Sequence, residues 1–260
     1  MTKAKVELID WTGKGTGDPW YSASLMIWTK RTRVEMSPGG LAEIYAWPKE
    51  KKLEELRYMA ATIRSSWEFC DFTFLITGVT RAFTHQFVRT RTLSVAMQSM
   101  QINRVDQGIG WDYLVGPTIG GDAEKFYRAT MSAIAHAYSY LADSPGVKVE
   151  DARGVLPTNI LNNLVVKGNL RAWADMLQKR ASPRNQGAKP GGEGEWTVVH
   201  RELRRAMIVA LPWTELFLNR TMNVVASELY ALLERVDDKL LRTNITKAVD
   251  ELVTEVGGGE

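Results

Sequence analysis

A chain of 260 residues, 45% hydrophobic and 24% charged, carries ample material for one large core, and nothing in that balance points to disorder. The formal net charge of +3 is small for this length, and Lys and Arg are interspersed with Asp and Glu. That argues against a nucleic-acid-coating or membrane-surface protein while leaving a local basic pocket open, and the single cysteine, Cys70, excludes an internal disulfide and a cysteine-rich metal site. Along the chain, Lys3, Lys5, Glu7 and Asp10 interrupt the N-terminus before an apolar run long enough for a signal peptide or membrane span can develop, so a cytoplasmic location is expected, in a cell or an infected host. Val6 to Trp11 can form a first strand. Trp20 to Trp28 is apolar and aromatic, compatible with helix or strand, and its tryptophans read as packing residues. Ser37, Pro38, Gly39 and Gly40 mark a turn. From Pro48 to Trp67 the apolar residues Leu53, Leu56, Met59, Ala60 and Ile63 recur at three-to-four spacing with charges between them, which predicts a helix.

Phe72 to Val79 is β-branched and aromatic and predicts a strand, with Cys70 beside it as a small buried hydrophobe. Thr80 is a good N-cap for a helix that begins at once. Arg81, Arg89 and Arg91 follow among Phe83, Phe87 and Val88, and Gln86 and Arg89 stand three apart. Two guanidinium forks near a helix end suit a phosphate or pyrophosphate, and Ser94, Gln98 and Ser99 could complete a polar pocket. From spacing alone, a solvated helix carrying intersubunit salt bridges fits equally well.

Gly108, Gly110, Gly116-Pro117 and Gly120-Gly121 punctuate a connection, after which Asp122 to Ala142 predicts a long helix with Phe126, Met131, Ile134 and Tyr138 inward. Val165 to Arg180 brings Asn169 as a helix cap, with Arg171, Asp175 and Lys179 at successive four-residue steps as oppositely charged neighbours on one face. Arg180 lies eleven residues beyond Asn169, close to three full turns. The stretch 182–195 is polar and glycine-rich and reads as a mobile loop, which the resemblance described below makes an insertion. Val198 to Ala210 continues as a basic helix ending at Pro212-Trp213. His200 has no partner at ligand spacing, so no metal is assigned. Met222 to Val256 predicts a last helix, and 251–260 a disordered tail.

The segment GVTRAFTHQFVRTR followed by SVAMQS resembles the signature of the flavin-dependent thymidylate synthases, GVSRAxxHQxxRHRxxSxNxxSxR. Gly78, Val79, Arg81, Ala82, His85, Gln86, Arg89, Arg91, Ser94 and Ser99 are kept. Thr90 stands where that family has the central histidine of RHR, Ala96 where it has asparagine, Met97 where glutamate is usual and Gln101 where it has arginine. Upstream, Ile63 to Phe69 is the counterpart of a GHxSPxEH-type loop, keeping only Ser65 and Glu68. Downstream, Glu150 to Pro157 is similar to EDARxVLP, and Asn169, Arg171, Asp175 and Arg180 keep the spacing of the family's Asn, Arg, Asn and catalytic Arg, with Asp175 replacing the second asparagine. Glu195-Trp196 retains a trace of a QWE motif. The resemblance is strongest over 67–213 and extends loosely to one domain over 1–260.

This resemblance implies an α+β fold, a central mostly antiparallel sheet with long helices, assembled as a homotetramer with sites shared between subunits. It implies FAD, NADPH and methylenetetrahydrofolate, and transfer of a one-carbon unit to C5 of dUMP with reduced FAD as hydride donor. By the same resemblance Gln86, Arg89, Gln98, Ser99, Arg153 and Arg180 bind the pyrimidine deoxynucleotide monophosphate, Arg153 from a neighbouring subunit. Ser65, Arg89, Thr90, Arg91, Asn169, Arg171 and Asp175 meet the flavin, although the Ser65 hydroxyl could equally bond its own helix end. Arg180 takes the catalytic role, contacting the base and favouring its ionisation at N3. A guanidinium is no base at neutral pH, so its work is electrostatic. The altered motif keeps open a dUMP or dCMP hydroxymethylase of modified viral nucleotides, and a catalytically silent nucleotide-binding member. No GxGxxG loop is present, in keeping with a flavin site unrelated to the doubly wound fold.

Overall fold

The structure, a computed structural model, describes residues 3–32, 39–106, 111–180, 194–218, 241 and 243–248. The turn residues Ser37 and Pro38, the glycines Gly108 and Gly110, nearly all of the stretch after Arg180, most of the C-terminal helix and the tail lie outside the described residues.

Four strands make one sheet in the order β1-β2-β4-β3, with every neighbouring pair antiparallel: β1 (Lys5–Trp11), β2 (Asp71–Thr80), β3 (Ser94–Met97) and β4 (Leu161–Asn169). The sequence pattern found β1 and β2 but not β4, whose apolar residues alternate with Asn163 and Lys167. In β2 the alternation drives Phe72, Phe74 and Ile76 to one face, opposite Leu164 and Val166 of β4, and all five are buried. Between Ile76 and Val79 the register shifts. Gly78 sits there at φ +67°, and a Cβ at this position would meet the Lys3 carbonyl oxygen at 2.5 Å, so only glycine fits the bulge. The bulge turns both Val79 and Thr80 inward at the strand's end.

The first helices are α1 (Tyr21–Arg31), α2 (Gly40–Tyr45) and α3 (Lys49–Thr62). The ambiguous tryptophan-rich segment is therefore helical, and the predicted helix from Pro48 stops at Thr62. Ile63 is extended, and Ser65–Phe69 forms a 3-10 turn held by the buried Trp67, whose indole N–H donates to the Met59 carbonyl at 3.2 Å. α4 (Arg81–Phe87) follows β2 directly, and α5 (Asp122–Asp143) leads through α6 (Val149–Ala152) and a 3-10 turn, Arg153–Val155, towards β4.

The inward face of α5 differs from expectation at one position. Phe126 is 77% exposed. Tyr127 turns in instead, its hydroxyl accepting the Asn159 side-chain N–H at 2.6 Å, so the stripe runs Tyr127, Met131, Ile134, Tyr138.

The core lies between the sheet and two helices, α7 (Leu170–Arg180) and α8 (Glu195–Ala210). α7 buries Leu170, Ala172, Trp173, Ala174, Met176 and Leu177, and α8 buries Trp196, Val199, Leu203 and Met207 at helical spacing. Trp173 is the keystone of the contact, edge-on to Phe74 with ring centroids 5.0 Å apart. Among the described residues no helix is long and apolar enough to cross a membrane.

Candidate functional site

Two strand-to-helix junctions, β2 into α4 and β4 into α7, place the polar residues. Each is capped by a side chain already on the strand. The Thr80 hydroxyl accepts from the Phe83 N–H at 3.1 Å, and Asn169 Oδ1 accepts from the Ala172 N–H at 2.9 Å. Because α4 ends at Phe87, Arg89, Thr90 and Arg91 do not continue the helix as predicted. They form a turn in which the Thr90 N–H donates to the Phe87 carbonyl at 2.9 Å and the Leu93 N–H to the Thr90 carbonyl at 3.1 Å, before the chain enters β3.

That turn faces the C-terminal end of α7 across a cavity of about 410 Å³ lined by Arg89, Thr90, Arg91, Thr92, Asp175, Met176, Lys179 and Arg180. Five residues singled out from the sequence therefore meet: Arg89, Thr90, Arg91, Asp175 and Arg180. Among the described residues the walls carry four cations against one carboxylate, a balance suited to an anionic ligand.

The charged face of α7 pairs differently from expectation. Arg171, Asp175 and Lys179 were predicted to compensate one another along the helix. Instead Arg64 bonds Asp175, and Arg171 reaches Glu68 at 2.7 Å, so that two ion pairs of opposite polarity tie α7 to the 64–69 turn. The turn presents its own Arg and Glu at the same two levels of the helix.

Arg180 is half-buried with its guanidinium over the Trp196 ring, 4.1 Å from the centroid. Burial lowers its pKa from the ordinary guanidinium value, yet an arginine stays charged at neutral pH. Trp196 also donates its indole N–H to Gln86 Oε1 at 3.0 Å, and its neighbour Glu195 accepts from both the Thr80 N–H and the Thr80 hydroxyl at 2.7 Å. Burial pushes the Glu195 carboxyl above its usual range, against those two hydrogen bonds. One turn further on, His200 Nε2 lies 3.0 Å from the Leu177 carbonyl, which can only accept, and burial holds this ring below the ordinary imidazole pKa. Sequence reasoning gave Trp196 no role. The trace of a motif at Glu195-Trp196 was the available signal.

The other predicted residues sit elsewhere. Ser65 is half-buried in the 3-10 turn. Gln98 is bound to β4, its N–H donating to the Asn163 carbonyl at 2.9 Å and its Oε1 accepting from Asn163 Nδ2 at 3.0 Å. The Ser99 hydroxyl accepts from the Gln101 N–H at 3.1 Å, and Arg153 Nε donates to the Glu150 carbonyl at 3.1 Å. Asn169 and Arg171 serve the α7 cap and clasp. None of these six lines the cavity of this chain. No group of three or more His, Cys, Asp or Glu able to hold a metal occurs among the described residues.

Residues 20–188 match the family model described as thymidylate synthase complementing protein. Curated relatives include flavin-dependent thymidylate synthases of Nitratidesulfovibrio vulgaris, 36% identical over 128 residues covering 46% of this chain and 51% of that protein, and of Geobacter sulfurreducens, 33% identical over 132 residues covering 50% and 56%. The chain thus spans about half the length of these relatives. A third, from Mycobacteroides abscessus, is 27% identical over 194 residues covering 67% and 72%. Among solved structures, a UMP/dUMP methylase, PolB, from Streptomyces cacaoi superimposes with a TM-score of 0.64, covering 84% of this chain and 95% of that one at 21% identity. At that identity the likeness establishes the fold.

Proposed function

The chain belongs to the thymidylate synthase complementing protein family, and from that premise we propose that it transfers a one-carbon unit from methylenetetrahydrofolate to C5 of dUMP, with reduced FAD as hydride donor and NADPH as reductant. The observation that carries this reading is the cationic cavity in which Arg89, Thr90 and Arg91 face Asp175, Lys179 and Arg180. A pyrimidine monophosphate and a flavin diphosphate are both anionic, and planar guanidinium forks bind phosphate in pairs of charge-assisted hydrogen bonds.

The wall residues fit such groups. Arg89 and Arg91 are the phosphate contacts, with the Thr90 hydroxyl between them where the family pattern carries a histidine. Asp175, the lone carboxylate of the cavity among the described residues, accepts a ring N–H, and its bond to Arg64 fixes its orientation. Arg180 takes the base. As negative charge develops on the pyrimidine ring during attack by C5, the guanidinium stabilises it, and the nearby indole keeps water from one of its surfaces. FAD, when bound and reduced, supplies the hydride that turns the transferred methylene unit into methyl. The protein supplies orientation and charge.

The test is direct. Purified protein is examined for flavin absorption and incubated with dUMP or dCMP and methylenetetrahydrofolate, with and without NADPH, and the nucleotide is weighed by mass spectrometry. A methyl gain that depends on reductant supports the proposal. Hydroxymethyl product without net consumption of reductant replaces it with a hydroxymethylase, and tight nucleotide binding with no turnover replaces it with a binding protein.

A further inference from the structure

Trp196 does more than shield one surface of Arg180: it touches residues from both sides of the site. The residue is buried, 7% exposed, its ring packed at 4.4 Å between centroids against Phe83 and at 5.6 Å, nearly parallel, against Phe87. These two phenylalanines belong to α4, the helix that delivers the arginine turn. The same indole carries the Arg180 guanidinium over its ring at 4.1 Å and donates to Gln86 Oε1 at 3.0 Å. Thus one side chain on α8 joins the last residue of α7 to α4.

The placement of Trp196 is itself fixed. It is the second residue of α8, and the first, Glu195, accepts from the N–H and the hydroxyl of Thr80, the residue whose hydroxyl caps α4. Helix starts are otherwise prone to fray. Here the start of one helix is bonded to the start of another, so the indole enters the core at a fixed angle. Arginine has several rotatable bonds, and its fork must be held to act on a reacting base. A guanidinium seated over an indole face is restricted without using any of its N–H donors for that contact.

We propose that Trp196 is a positioning residue: it sets the plane of the Arg180 guanidinium and, through Gln86, locks that plane to α4, the helix that leads into the Arg89–Arg91 turn. The inference rests on the reading of Arg180 as the group that meets the base. Trp196 makes no contact with substrate in this scheme and acts through Arg180.

Two measurements test it. The first is geometric and needs no activity: the Nε–H resonance of Arg180, assigned by its disappearance in Arg180→Ala, should carry the upfield ring-current displacement of a group held over an indole. Trp196→Leu should abolish that displacement and Trp196→Phe should reduce it. An unchanged resonance in either folded variant overturns the contact. The second is a double-mutant cycle on turnover of dUMP. Trp196→Leu should lower kcat by about a hundredfold, as a misplaced catalytic group does, with a smaller change in nucleotide affinity. In an Arg180→Ala background the same change should cost almost nothing further, because the residue it positions is gone. Multiplicative losses overturn the positioning role and make Trp196 a core residue only. Should Trp196→Leu fail to fold, Trp196→Phe carries both measurements, with intermediate effects expected. Failure of the wild-type protein to bind any pyrimidine nucleotide would sink the functional reading instead, while the resonance of Arg180 still decides the contact.

Discussion

Few side chains are proposed to carry the chemistry, and Arg180 is the one whose removal should tell most. Its charge is permanent and its guanidinium is half-buried against Trp196. If it stabilises charge that builds on the pyrimidine, Arg180→Ala should lower kcat by about two to three powers of ten, the range found when a transition-state charge partner is deleted. Nucleotide affinity should fall less, since the contact strengthens as charge grows. Arg180→Lys should recover little, because a point charge neither stacks on the indole nor presents two prongs. Normal turnover with a lowered melting temperature would assign Arg180 to helix stability alone. A second residue-scale prediction concerns Glu195, whose carboxyl burial pushes above its usual pKa range. A folded-state pKa above the unfolded value means that the folded chain binds the proton more tightly. The resulting stabilisation is complete below the unfolded pKa and is lost as pH rises through the folded one. Glu195→Gln abolishes the ionisation, and its amide can still accept the Thr80 N–H while donating to the Thr80 hydroxyl. The variant should therefore melt higher than wild type near neutral pH, with the gap closing as pH falls towards the ordinary carboxylate range. Melting curves that stay parallel across that window would remove the buried-carboxylate account.

At the scale of elements, the two strand-to-helix junctions hold the cavity walls in place, so their caps should matter to the fold before they matter to the ligand. Asn169 Oδ1 accepts from the Ala172 N–H at 2.9 Å, and Asn169→Ala should cost about 1 kcal/mol in urea unfolding, while Asn169→Asp should retain most of it. Equal stability of all three proteins would leave Asn169 without a capping role. This junction also shows what the sequence made legible. The caps Thr80 and Asn169 could be read because a hydroxyl or amide ahead of an apolar-periodic run has one obvious use, and the ends of α7 followed from its spacing. The strand leading into α7 escapes the sequence pattern because Asn162, Asn163 and Lys167 interrupt its apolar run, and its place is set by pairing with β2 and β3. The arginine turn was drawn as helix because nothing local stops one at Val88. The stop comes from the return of the chain into β3, a tertiary demand. Likewise the partners of Arg171 and Asp175 lie more than a hundred residues away in sequence, at Glu68 and Arg64, where helical spacing has no reach.

For the whole molecule, the resemblance expects more than one copy at each site, and the placement of the predicted residues gives that expectation a form. Arg153 bonds Glu150, and neither it nor Gln98 nor Ser99 lines the cavity that holds Arg180 in the same chain. Meanwhile α5, a helix of 22 residues, buries only Met131 and Tyr138, and Phe126 and Tyr140 stand 77% and 75% exposed on it. Large apolar side chains left in solvent on a long helix suit contact with another protein surface. Cationic walls alone could be read from the sequence as an arginine cluster, but whether a second chain contributes to the site could not, since spacing along one chain carries no information about a second. If Arg153 completes a site whose Arg180 comes from a different subunit, Arg153→Ala and Arg180→Ala will each be nearly inactive alone. Unfolding and refolding them together should then restore part of the wild-type turnover, because some mixed sites receive an intact Arg153 from one variant and an intact Arg180 from the other. Sedimentation of the mixture should show assemblies larger than a dimer. No recovery in refolded mixtures that sediment as such assemblies would place Arg153 and Arg180 in the service of the same subunit's site, and sedimentation at monomer mass with activity retained would remove the shared site altogether.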